Sequence, residues 1–118
     1  MTDVVDRYFA AMRRGVEAEE EMMALFAEGA IYVEPFVAPD QPAVGKEAIR
    51  ERLRNGWANP LPDMELDVLE VAMEDGNARS SWECRSPGLP GPMRGEDLYE
   101  ITDGQITRLE VRLTDTPK

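Results

Sequence analysis

A chain of 118 residues, 42% of them hydrophobic, fits one domain with a modest core and leaves no room for a second. Its 24 acidic against 13 basic residues make a surface that repels phosphate backbones and anionic lipid, so no nucleic-acid or membrane partner is expected. Histidine is absent and Cys84 is the only cysteine, which excludes Ser–His and Cys–His nucleophile systems, the usual zinc sites and any internal disulfide.

In chain order, residues 3–14 read as a helix, with Val5, Tyr8, Phe9 and Met12 forming one apolar stripe. Thr2 or Asp3 suits its start and Gly15 its end. A second, shorter helix is predicted over 18–27, carrying Met22, Leu25 and Phe26 and stopping at Gly29. Glu19, Glu20 and Glu21 fill its first turn, where the helix dipole favours them, and read as a solvated face. Residues 30–34 alternate as a short strand that Pro35 breaks, and 35–45 form a proline-bearing loop. A third helix over 46–57 places Ile49, Leu53 and Trp57 on one side, before a break at 59–63.

Beyond that point the period changes to two. Residues 64–73 and 77–85 alternate as strands across Asp75-Gly76, and 93–102 and 105–113 do so across Asp103-Gly104. Both dipeptides are strong hairpin signals. The stiff loop 86–92 separates the hairpins, and the residues after Leu113 read as a frayed tail. Helices gathered ahead of an antiparallel meander predict an α+β domain over 1–118. Three helices of the N-terminal half would pack on the concave face of a curved antiparallel sheet, leaving an apolar pocket between the layers. The N-terminus lacks a signal-peptide pattern and no apolar run is long enough to span a bilayer, so a cytoplasmic location is expected.

Several segments carry a family resemblance: Val4 to Met12, Leu25 to Ala30 running into Val33-Glu34-Pro35, Gly45 to Arg50, and Arg94 to Tyr99. The chain resembles the nuclear transport factor 2 superfamily, which includes SnoaL-like polyketide cyclases and ketosteroid isomerases. That resemblance implies a cone-shaped half barrel, a hydrophobic small-molecule ligand and a homodimer. The ketosteroid isomerases use a tyrosine on the first helix, a carboxylate base on the first strand and a protonated aspartate on a later strand. Tyr8, Glu34 and Asp97 stand at those positions, although the family places aspartate where this chain has Glu34.

The trio implies removal of a proton beside a carbonyl by a carboxylate in an apolar site, with hydrogen-bond donors on the enolate oxygen and no cofactor or metal. The same steps serve an isomerase or a polyketide cyclase. Asp97 shares a face with Met93, Tyr99 and Ile101 by strict alternation, while Glu96 lies on the other, unless a bulge exchanges them. Phe26, Phe36, Trp57, Trp82 and Tyr99 are the expected ligand contacts, and Cys84 reads as an inert small hydrophobe. Each site residue also has a plain structural use: Tyr8 as core, Glu34 as a strand end before proline. Two further functions therefore stay open on the same fold, a hydrophobic-ligand binding protein without turnover and a dimeric protein-interaction module. Epoxide hydrolysis also occurs on this fold, through an aspartate–arginine–aspartate set that cannot be placed here.

Overall fold

The computed structural model describes residues 3–37, 40–58 and 61–115. Thr2, residues 38–39 of the predicted loop, residues 59–60 of the predicted break and the tail from 116 onward lie outside them. Helix α1 (Asp3–Arg14) buries Val5, Tyr8 and Phe9 and ends at Gly15, whose φ of +70° is the left-handed turn that glycine adopts without strain. The Arg13 guanidinium then donates to the Leu66 carbonyl at 3.0 and 3.1 Å, tying α1 to the far edge of the sheet.

The predicted second helix is not formed as such. A 3-10 turn (Gly15–Ala18) and one α-turn, α2 (Glu19–Met23), take its first half, and strand β1 (Phe26–Val33) takes the rest. The domain thus has two full helices instead of three. Met22, Leu25 and Phe26 are all buried, as their apolar spacing demands, but Phe26 is buried in the sheet opposite Ile106. A short strand β2 (Ala43–Val44) precedes helix α3 (Lys46–Trp57), within which Ile49 and Leu53 are buried.

Strands β3 (Glu65–Glu74), β4 (Asn77–Arg85), β5 (Met93–Thr102) and β6 (Gln105–Asp115) complete an open six-stranded sheet of order β2-β1-β6-β5-β4-β3. Both hairpin turns place two consecutive residues at positive φ, Asp75 and Gly76 at 52° and 84°, Asp103 and Gly104 at 52° and 77°. That is the twist-matched geometry the Asp-Gly pairs favour. The sheet is mixed, not antiparallel, because β1 runs parallel to β6. A strand that follows a helical segment and pairs with the last strand of the chain escapes any reading based on sequential hairpins. Tyr8 and Phe9 of α1, Ile49 and Leu53 of α3, and Trp82, Tyr99 and Leu109 of the sheet share one core.

Glu19 is buried, not solvated: it accepts hydrogen bonds from Arg54 at 2.5 and 2.7 Å and from Arg50 at 2.8 Å, bolting α2 to α3. Arg54 first, then Arg50, holds its carboxyl down at about 2. A carboxyl depressed by folding stabilises the native state above its ordinary titration range and loses that contribution as pH falls toward 2. Glu19→Gln is therefore expected to lower the melting temperature at pH 7 and to flatten its decline between pH 4.5 and 2. Equal acid limbs in wild type and variant would overturn this assignment. Among the described residues, no helix is long and apolar enough to cross a membrane.

Candidate functional site

A cavity of about 450 Å³ opens between α1, α3 and the inner face of the sheet. Its walls are mostly apolar, and Tyr8, Tyr32, Glu34, Arg52, Trp82 and Asp97 bring the polar groups. The structure thus gathers Tyr8, Glu34 and Asp97 on one cavity from α1, the end of β1 and the middle of β5. Phe36, Trp57 and Trp82 line the same space. Phe26 and Tyr99 lie behind it: Phe26 packs edge-to-face beneath Tyr32 with ring centroids 6.4 Å apart, and Tyr99 sits in the core 5.8 Å from Tyr8.

Asp97 faces inward, as its alternation with buried Gly95 and Tyr99 requires, and is 2% exposed. Trp82 Nε1–H donates to its Oδ1 at 3.0 Å. Tyr99 O–H and Ser80 Oγ–H donate to Oδ2 at 3.1 and 3.2 Å, and those two hydroxyls are themselves 2.8 Å apart. Burial pushes the Asp97 carboxyl up to about 6, while the donors from Trp82, Tyr99 and Ser80 pull the other way. Desolvation wins here, so the group titrates near neutrality instead of remaining a permanent carboxylate.

Trp82 reaches Asp97 because Gly95 stands across from it on β5. A Cβ at Gly95 would meet the indole ring and would lie 2.6 Å from the Arg112 carbonyl oxygen of β6. No larger residue leaves the indole where it is.

Tyr8 and Tyr32 both stand on the cavity wall. Burial above all, then the neighbouring Tyr32 and Asp97, raises the Tyr8 phenol well beyond its usual range; burial and the Glu34 charge do the same for Tyr32. Both therefore stay protonated and remain donors.

Glu34 is 3% exposed and both of its oxygens are engaged. Oε2 accepts the Phe36 and Val37 backbone N–H groups at 2.6 and 2.8 Å, and Oε1 accepts Arg52 at 2.9 Å. Arg52 also donates to the Gln41 carbonyl at 2.7 Å. Cys84 lines the cavity as a buried thiol raised by desolvation, an unreactive state. Among the described residues, no group of three or more His, Cys, Asp or Glu side chains is placed to hold a metal ion.

Tyr32, Arg52 and Ser80 were not singled out from sequence. Tyr32 was within reach, since it sits two residues before Glu34 and so shares its face. Arg52 and Ser80 were not, because their partners lie across tertiary contacts that no local pattern fixes.

The profile of the SnoaL-like domain matches residues 5–109. The chain belongs to the SnoaL-like domain family. Solved structures of the same fold include a Sinorhizobium meliloti protein provisionally named a polyketide cyclase, 20% identical, covering 95% of each chain at a TM-score of 0.78. A Kribbella flavida protein provisionally named a ketosteroid isomerase is 19% identical, covering 98% of this chain and 78% of its own at a TM-score of 0.76. A Catenulispora acidiphila protein with a ketosteroid isomerase-like fold, solved with trimethylamine, is 17% identical, with 94% of this chain and 85% of that one covered at a TM-score of 0.73. At such identities the likeness shows the fold alone. No curated protein matches the sequence.

Proposed function

We propose that this SnoaL-like domain is a small enzyme of the isomerase or cyclase type, moving a proton on a hydrophobic carbonyl compound with its own side chains. The observation that carries this reading is Asp97, a buried carboxyl held near 6 on the wall of an apolar cavity. A group that titrates close to working pH can both accept a proton from carbon and return it. Its ionised form takes the proton beside the carbonyl, and the electron pair moves onto the carbonyl oxygen. The enolate then meets the Tyr8 and Tyr32 hydroxyls, protonated donors on the wall of a mostly apolar cavity. Return of the proton to a remote carbon completes an isomerisation, whereas attack of the enolate carbon on a second carbonyl closes a ring. The names of the Kribbella flavida and Sinorhizobium meliloti proteins correspond to these two outcomes.

A passive binder would gain support from an exposed Asp97, and Asp97 is buried. A homodimer and a cytoplasmic setting complete the proposal, on the family resemblance and the composition respectively.

Incubation with a β,γ-unsaturated 3-ketosteroid tests it by ultraviolet absorbance of the conjugated enone. Wild type is expected to produce enone, and Tyr8→Phe to lower kcat roughly a hundredfold, the usual effect of removing one oxyanion donor. A Tyr8→Phe rate equal to wild type would remove Tyr8 from the oxyanion site. If neither this ketone nor an open-chain polyketide is converted, the enzyme reading fails and the cavity is a binder's.

A further inference from the structure

Glu34 and Arg52 do more than line the cavity: they hold its rim. Glu34 follows the last residue of β1, and its Oε2 closes on the backbone N–H groups of Phe36 and Val37 just ahead in the chain. Its Oε1 takes Arg52 from α3, and Arg52 reaches on to the Gln41 carbonyl, two residues before β2. Residues 36 and 37 just after β1 and Gln41 just before β2 are thus fastened by one ion pair. Phe36 and Val37 are 52% and 44% exposed and still line the cavity, so they form its mouth.

A buried ion pair with its partners in place contributes little net stability compared with apolar residues of the same size. What it does supply is a fixed geometry, because each charge-assisted bond is directional. Here that geometry sets where two apolar side chains stand at the entrance.

We propose that Glu34 and Arg52 are positioning residues, a clamp that holds Phe36 and Val37 over the cavity and thereby controls the entry and release of its hydrophobic ligand. The inference rests on the cavity being a ligand site and on none of its chemistry. Glu34 in this role is a turn-forming anion, not the base its place in the resemblance implies. Glutamine at position 34 offers one oxygen in place of two, so it can serve the turn or Arg52 but not both.

The test pairs amide hydrogen exchange with stopped-flow displacement of a neutral apolar fluorophore, N-phenyl-1-naphthylamine. In Glu34→Gln the Phe36 and Val37 amides are expected to exchange about tenfold faster or more, the scale of one lost charged hydrogen bond. The fluorophore should leave about tenfold faster, while the Trp82 and Tyr99 amides keep wild-type rates. Arg52→Lys keeps the pair's charge but cannot span Glu34 and Gln41 together. It should speed release several-fold with the two amides still protected. Release at the wild-type rate in both variants overturns the clamp, as does unchanged exchange at Phe36 and Val37 in Glu34→Gln. A wild type that takes up no fluorophore overturns it too, for the rim would then frame no ligand site. If Glu34→Gln fails to fold, release from Arg52→Lys decides alone. Absence of ketosteroid turnover touches neither readout, so failure of the catalytic reading stays separate.

Discussion

Asp97→Asn is expected to cut turnover by roughly a hundredfold or more and, at pH 8, to raise the melting temperature. The two effects have one cause. Folding lifts this carboxyl from its ordinary 3.8 to about 6, so the native state binds its proton more tightly than the unfolded chain does. Its contribution to stability is complete below pH 3.8, is lost as pH rises through 6, and stays lost above. A shift of that size amounts to about 3 kcal/mol of native-state cost at pH 8. Asparagine keeps the shape, accepts from Trp82 through its oxygen, and can donate to the rotatable Ser80 and Tyr99 hydroxyls. The stabilising difference should therefore shrink toward zero at pH 4, a pattern that thermal melts at the two pH values would reveal. The catalytic loss should be roughly a hundred- to ten-thousandfold, the range for a general base. Stability gained where activity is lost is the signature of a residue kept for function. A variant less stable than wild type at pH 8 would show that Asp97 serves packing instead.

Gly95→Ala carries the largest expected stability loss. The added methyl meets two neighbours, the Trp82 indole, which must shift, and the Arg112 backbone carbonyl in the adjacent strand. Overpacking of this kind costs roughly 1–3 kcal/mol, and backbone on one side puts this site at the upper end. For a domain of this size the melting temperature should fall by about 10 °C. The displaced indole also surrenders its bond to Asp97 Oδ1, which lowers the carboxyl's titration in the native protein. Losing that donor should move the rising limb of a pH–rate profile upward. Trp82→Phe in the Gly95→Ala background should recover part of the melting temperature, since the smaller ring relieves half of the clash. An alanine variant that melts with wild type would mean that β5 and β6 yield more readily than their pairing implies.

Much of the fold can be read along the chain, and the reasons are local. Asp75-Gly76 and Asp103-Gly104 specify turns that only such residues adopt readily, so β3 to β6 lie within two residues of their predicted bounds. The stripes of α1 and α3 are equally plain. Leu25 and Phe26 misled because a short apolar run fits a helix stripe and a buried parallel strand alike. What decides between them is Ile106, whose N–H donates to the Leu25 carbonyl at 2.7 Å from 81 residues away in sequence. Strand period put Asp97 on the inner face, and the unbroken pairing from Gly95 to Glu100 keeps it there. The partners that govern the site were beyond such reasoning. Ser80 lies opposite Asp97 only through the β4–β5 register, and Arg52 meets Glu34 only once α3 folds against β1.

The measurement that bears most directly on Asp97 is exchange of the carbonyl-adjacent hydrogen of a β,γ-unsaturated ketone for solvent deuterium. It would be followed by NMR against pH in wild type, Asp97→Asn and Glu34→Gln. Exchange that rises through about pH 6 in wild type, vanishes in Asp97→Asn and persists in Glu34→Gln is the predicted result. Exchange that survives in Asp97→Asn and disappears in Glu34→Gln would contradict it, and would return the proton-accepting role to Glu34.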